Sequence, residues 1–266
     1  MDELVFIKWG GSLITNKNQA ETPNIDTIVS LASQFLQIVQ KYPNTKFVLG
    51  HGSGSFGHFV ANKYQTRQGV SSLTEWNGFW QVWKAARALN QIVLSALNEL
   101  NIPHIAIPAS ATFMADNKSP ISFFDEPFRN ALQHGILPVI YGDVVFDRTL
   151  GGTILSTEDL FLQLARSLRP NKILLAGLTD AIFYDFPKNK QRIPIITPHN
   201  FKEIEHFIGA SNSIDVTGGM ISKVKRMLEV IEEQPQLQVT IFSGMHPDAM
   251  QTVLQGDDIG TSLRQE

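Results

Sequence analysis

The chain has 266 residues, room for one large α/β domain or two small ones. A hydrophobic content of 43% and a charged content of 18% suit a packed globule and argue against disorder. A net charge of −3 without a long basic run argues against nucleic acid as the primary partner, and the lack of cysteine excludes disulfides and thiolate metal sites.

The opening MDELVFIKWGG has no basic n-region and too short an apolar stretch for a signal peptide. No apolar run approaches the ~18 residues of a membrane span, so a soluble cytoplasmic protein is expected. Leu4–Ile7 reads as a buried strand stopped by glycine, and Ile25 to Lys41 carries helical periodicity. Phe47–Leu49 is the next buried strand. Thr74 to Leu100 is a long helical pattern with Thr74 as its expected cap. His104–Ile107 and Leu137–Ile140 read as strands, with a helix at Pro127–His134 between them. Val144–Phe146 and Thr153–Leu155 flank Gly151-Gly152 as a hairpin. Glu158 to Leu168 is helical, Lys172–Ala176 a strand, and Ile182–Tyr184 a short hairpin element. The segment from Pro187 to Ser213 is polar and reads as an irregular surface excursion. Gly218 to Glu233 is helical after a Thr217 cap, and Val239–Phe242 is a late strand. Strands alternating with helices predict a mostly parallel sheet covered on both faces. The chain reads as two lobes of one continuous fold, residues 1–170 and 171–266, without a linker.

Two glycine runs stand where strands end, the place where open α/β sheets bind ligands. One is Lys8-Trp9-Gly10-Gly11-Ser12, with Lys17 shortly after; the other is KFVLGHGSGSFGH, from Lys46 to His58. Such bends expose runs of backbone N–H groups that bind anions. Neither is GxxxxGK[ST], and Gly52, Gly54 and Gly57 lack the spacing and the later acid of a dinucleotide fingerprint. Each loop alone is compatible with a tight turn and no ligand. Together with their lysines they point to a site for two phosphorylated molecules.

Lys8 follows a buried strand and must reach a partner, whereas Lys17 in its polar loop is compatible with simple solvation. Lys223 lies early in the helix after DVTGG. Fixed positive charge of this kind stabilises the charge spread over a transferring phosphoryl group. His58 closes the Gly/Ser turn, where a protonated imidazole can donate to a phosphate oxygen; His51 is expected to point back into the sheet. The histidines show no HExxH pair, which argues against zinc. Trp76, Phe79, Trp80, Val82, Trp83 and Ala86 crowd one helix. Core packing is one reading of that face and an apolar substrate pocket beside His58 the other.

These residues resemble a known family. KWGGSLITNK is similar to the opening of the amino acid kinase superfamily, and HGSGSFGH resembles the HGGGSFGH turn of isopentenyl phosphate kinases. SNSIDVTGGM at Ser211–Met220, Lys223, Gly78–Trp80 and YGDVVFD at Tyr141–Asp147 are similar too, in the family's order, from Val5 to about Gly244. The opening marks only the superfamily, whereas FGH with SIDVTGGM is more specific. Fosfomycin kinases share the GxFGH turn and remain the rival enzyme reading; a non-catalytic nucleotide or phosphate sensor is the reading from another class.

The resemblance implies an open αβα sandwich that binds Mg-ATP in the C-terminal lobe and a prenyl monophosphate in the N-terminal lobe, as a homodimer. It implies that Lys8 and Lys17 touch the transferring group and that Gly10, Gly11 and Ser12 cradle ATP phosphates. In the turn at Gly52, backbone at Ser53 and Gly54 would meet acceptor phosphate and γ-phosphate respectively, and His58 would hold the acceptor phosphate. Asp180 and Gly218 would lie along the nucleotide and Lys223 would reach its phosphates. Glu158 would orient the lysines, while Val82, Ala86, Val144 and Ile154 would line the prenyl pocket. No protein metal site is implied, Mg²⁺ coming mainly with ATP. The sequence departs from the family's pattern in three places. Ser53 replaces a glycine of the turn. Ser156-Thr157-Glu158-Asp159 stands for SGDD, putting Thr157 at a substrate-facing glycine. Gly177-Leu178-Thr179-Asp180-Ala181 stands for TDVDG, putting Leu178 where an acid is usual near the nucleotide.

Overall fold

The computed structural model describes residues 3–208 and 219–266. In chain order its strands are β1 (Leu4–Trp9), β2 (Lys46–His51), β3 (His104–Ala106), β4 (Phe113–Asp116), β5 (Ser119–Phe123), β6 (Leu137–Tyr141), β7 (Asp143–Asp147), β8 (Gly151–Leu155), β9 (Lys172–Gly177), β10 (Ile195–Ile196), β11 (Gln238–Ser243) and β12 (Thr261–Leu263). The helices are α1 (Gly11–Ile14), α2 (Ile25–Lys41), α3 (Gly54–Tyr64), α4 (Leu73–Glu99), α5 (Ala109–Thr112), α6 (Glu126–Gln133), α7 (Thr157–Leu168), α8 (Pro198–Ile208), α9 (Gly219–Glu233) and α10 (Ala249–Gln255).

Eight strands form one sheet in the order β10-β12-β11-β9-β1-β2-β6-β3. From β11 to β3 every pairing is parallel, and β12 runs antiparallel to β11. Pleating sends alternate side chains of β1 to opposite faces. Val5, Ile7 and Trp9 pack with α2, α4 and α10, while Phe6 packs on the other face with α7, α8 and α9. The expected αβα sandwich follows from these two cores. Lys8 shares the parity of Phe6 and is thereby aimed at α7 and α9. The chain moves from β1 outward through β2, then returns to β1's other side with β9, so the order reverses at β1. Crevices form at such a reversal, beyond the carboxyl ends of the strands.

A second sheet, β5-β4-β7-β8, contains the expected hairpin as β7–β8, with Val144 opposite Ile154. The β4–β5 hairpin went unread because Asn117 and Lys118, both at positive φ, and Pro120 look like loop. Three other expectations need correction. The cap of α4 is Ser72 rather than Thr74, since Ser72 and Glu75 close a reciprocal capping box. The polar segment after Pro187 is not irregular throughout: it holds β10 and α8, whose Phe201, Ile204 and Ile208 are buried. The Gly/Ser bend does not stay a bend, because α3 starts at Gly54 and carries His58. Thr217 and most of the SNSIDVTGGM run lie outside the described residues. Among the described residues no helix is long and apolar enough to cross a membrane.

Candidate active site

A cavity of about 1090 Å³ opens beyond the ends of β1, β2 and β9. The amino ends of α1, α3, α7 and α9 border it through Gly11, Gly54, Thr157 and Met220. The N-terminus of a helix of some length carries partial positive charge and unpaired N–H groups, so α3, α7 and α9 together favour an anionic occupant.

The two glycine loops touch back to back. A Cβ on Gly11 would sit 2.6 Å from the Gly54 nitrogen, and one on Gly52 would sit 2.8 Å from the Gly11 nitrogen. Both obstacles are backbone, so only glycine permits the approach. Thr15 ties the loops further: its hydroxyl donates to the Gly11 carbonyl at 2.7 Å and accepts from the Ser55 N–H at 2.9 Å. Ser53 has a φ of −76°, which an L residue adopts without strain. Its hydroxyl occupies the space a side chain at Gly57 would need.

Inside the cavity the buried Glu158 meets two cations. Its Oε1 lies 3.3 Å from Lys8 Nζ, delivered by β1, and 3.6 Å from Lys223 Nζ, delivered by α9. Burial alone would raise the Glu158 pKa, but the charges of Lys8 and Lys223 outweigh it and hold the carboxyl at about 2. The next residue, Asp159, pairs with Arg226, one turn beyond Lys223, and closes the α7 capping box with Ser156. Thr157 donates from its hydroxyl to the His51 carbonyl at 2.6 Å. The same carbonyl accepts the Gly142 N–H at 3.2 Å. The His51 ring is fully buried on the other face of β2, within 3.0 Å of Asn90 and stacked on Tyr141, and burial lowers its pKa.

Comparison with known proteins follows the same lines. The model of the amino acid kinase family matches residues 3–243. The chain belongs to the amino acid kinase family. Isopentenyl phosphate kinase of Methanocaldococcus jannaschii is 31% identical over 266 residues, with 98% of each chain covered. That of Methanothermobacter thermautotrophicus is 29% identical over 271 residues, again with 98% of each covered. A crystal structure of an isopentenyl phosphate kinase superposes with a TM-score of 0.81 at 24% identity, covering 98% of this chain and 100% of that one.

In this amino acid kinase most of the expected site residues share one cavity: Lys8, Gly10, Gly11, Ser12, Lys17, Gly52, Ser53, Gly54, His58, Val82, Ile154, Thr157, Glu158 and Lys223. Three stand apart. Ala86 and Val144 are fully buried and do not line the cavity; Val144 packs with Val82 and Phe79 in a separate small core. Asp180 is 68% exposed at its side chain and lies 3.0 Å from His246, while its neighbours Thr179 and Ala181 line the cavity. Gly218 lies outside the described residues. Of the aromatic run on α4, Phe79 and Val82 are buried whereas Trp80 is half-exposed. Unread in the sequence were Arg67, Asn62 and Gln65 on the α3 side, and Phe183, Phe186 and Phe207 in the wall built after β9. Asn62 could have been found by helical spacing, four residues after His58.

Proposed function

We propose that this chain is an isopentenyl phosphate kinase, transferring the γ-phosphoryl group of ATP to the phosphate oxygen of isopentenyl monophosphate. The observation that carries the reading is the Lys8–Glu158–Lys223 cluster, in one cavity with His58 and the two glycine loops. The identity to isopentenyl phosphate kinases over nearly the whole chain supports it. Residues 1–170 hold the acceptor and residues 171–266 most of the nucleotide. His58 and the backbone of Gly52 and Ser53 hold the acceptor phosphate, and the backbone of Gly54 meets the γ-phosphate. Gly10, Gly11, Ser12 and Lys223 hold the donor phosphates. Lys8 and Lys17 address the group in transit, and Glu158 fixes the lysines. Thr157, Val82 and Ile154 border the acceptor, with Ala86 and Val144 backing the tail pocket. Asp180 and Gly218 flank the nucleotide.

The acceptor oxygen is already anionic near neutral pH, so its attack needs no strong base. One P–O bond forms to the acceptor, the bond between γ-phosphorus and the β-phosphate oxygen breaks, and ADP leaves. Catalysis is then alignment plus charge stabilisation. Mg²⁺ enters with the nucleotide, whose phosphates it bridges. A cytoplasmic homodimer completes the proposal, and sedimentation of the purified chain checks the dimer.

The test is His58→Ala with isopentenyl phosphate and Mg-ATP. Turnover falls by about 10²–10³, while ATP affinity and thermal unfolding stay near wild type. Turnover at the wild-type level removes His58 from the mechanism. An acceptor screen with fosfomycin alongside isopentenyl phosphate, read by ADP release, separates the two kinase readings.

A further inference from the structure

His51 stands beside the glycine loops without lining the cavity. Pleating puts its ring on the α4 side of β2, in line with Phe47 and Leu49. Nδ1 lies 3.1 Å from the Gly52 carbonyl oxygen, and Nε2 lies 3.0 Å from the carboxamide of Asn90. Asn90 is itself buried, well inside α4. Tyr141 covers one face of the ring, with centroids 5.4 Å apart and planes 11° from parallel. The main chain is held as well, since the His51 carbonyl accepts from both Thr157 and Gly142. Burial, with a smaller contribution from the charge of Lys8, keeps the ring neutral.

A neutral imidazole has one proton for its two neighbours. Placed on Nδ1, the proton goes to the Gly52 carbonyl. The Asn90 carboxamide, whose two ends have the same shape, then turns its NH₂ group to Nε2. Both ring nitrogens are satisfied in this arrangement, as a fully buried polar side chain requires.

The consequence falls on the next peptide. The Gly52–Ser53 bond is trans, so its carbonyl and its N–H point in opposite directions. The carbonyl turns to the His51 ring on the α4 side. The Ser53 N–H therefore turns to the other side, the one on which Lys8 leaves β1 to meet Glu158. Gly52 and Ser53 both line the cavity there. A reversed peptide would offer a phosphate a carbonyl oxygen in place of a donor.

We infer that His51 is a positioning residue for the acceptor phosphate: its Nδ1–H holds the Gly52 carbonyl, which aims the Ser53 N–H at that phosphate, and Asn90 keeps the proton on Nδ1. The inference rests on the kinase function proposed above. Losing a well-aimed donor to a charged group weakens its hold by about 10- to 100-fold. The loss acts on ground state and transition state alike, so it appears in KM rather than in kcat.

The experiment compares two substitutions, with isopentenyl phosphate and Mg-ATP as substrates. Gln puts its amide nitrogen near the place of Nε2, so His51→Gln keeps the Asn90 contact and loses the Gly52 bond. Asn puts its amide nitrogen near the place of Nδ1, so His51→Asn does the reverse. His51→Gln is expected to raise KM for isopentenyl phosphate by about 10- to 100-fold, with KM for ATP unmoved. His51→Asn is expected to restore most of that loss, although both variants lose the stacking on Tyr141. Equal effects in the two variants, or a rise in both KM values together, overturn the inference. Ring ¹⁵N resonances of the wild type give a second measurement that needs no variant to be active. A proton on Nδ1 and none on Nε2 is expected for the buried histidine, and any other state overturns the inference. A wild type that turns over isopentenyl phosphate while the variants show no split sinks this inference alone. A wild type inactive on isopentenyl phosphate sinks the proposed function and this inference together.

Discussion

Two buried carboxylates, fifteen positions apart in the chain, have opposite fates. Glu158 opens α7 and meets Lys8 and Lys223; its pKa falls to about 2. Asp143 opens β7, is fully buried and has no cation among the groups that shift it. Burial raises its pKa to about 6, against the pull of Ser110 and the Val144 N–H, and its Oδ2 has no hydrogen-bond partner. Desolvation acts on both, so the difference comes from the cations. A cleft that keeps a charged acid at the bottom has done so by importing lysines from two distant segments, and those lysines are then positioned for an anion.

The largest effect is expected from removing the charged partner in the first region. Glu158→Ala leaves Lys8 buried without its carboxylate and is expected to lower stability by about 3–5 kcal/mol, read by urea unfolding, with turnover down at least 100-fold. If stability barely moves, the cluster is not what sets Glu158 apart from Asp143. Asp143→Asn goes the other way. A carboxyl whose folded pKa is raised binds its proton more tightly when folded. Its favourable contribution is therefore complete below the ordinary value of 3.8 and is lost as pH rises through about 6. The amide is expected to add about 2 kcal/mol at pH 7.5 and to flatten the stability profile between pH 4 and 6. For Glu158 the sign reverses: its contribution is full above 4.5 and fades as pH falls towards 2. A difference curve between wild type and Asp143→Asn measures the first slope without the second. The smallest effect concerns the link between the regions. Gly142 and Thr157, each one residue before its acid, both donate to the His51 carbonyl. Thr157→Val removes one of those bonds and is expected to cost about 1 kcal/mol, with KM for the acceptor changing more than KM for ATP.

What was legible in the sequence tracks the physics of each region. Lys8 announced itself because an ionisable group after a buried strand needs a partner, and strand parity aims it at α7. The glycine loops were visible because no other residue allows backbone to lie on backbone. Helix α2 was legible over its full span, Ile25–Lys41, because its apolar residues recur at helical spacing along the whole segment. The apolar wall built after β9 was not legible: Phe183, Phe186 and Phe207 come from a loop and from α8, and no local periodicity joins them. Nor was the fate of Asp180, since nothing in GLTDA tells whether the carboxylate faces a ligand or His246. α10 and β12 also went unread, being short and dependent on the finished sheet for their burial.

The contact between Gly11 and Gly54 has a consequence for how this protein can be altered. Two segments some forty residues apart share a seam with no room for a methyl group, so neither can drift while the other stands still. Transplanting only the second loop would import a surface cut to fit a different neighbour. The pair behaves as a single inheritable part, and a workable graft carries both halves together with Thr15, the rivet between them.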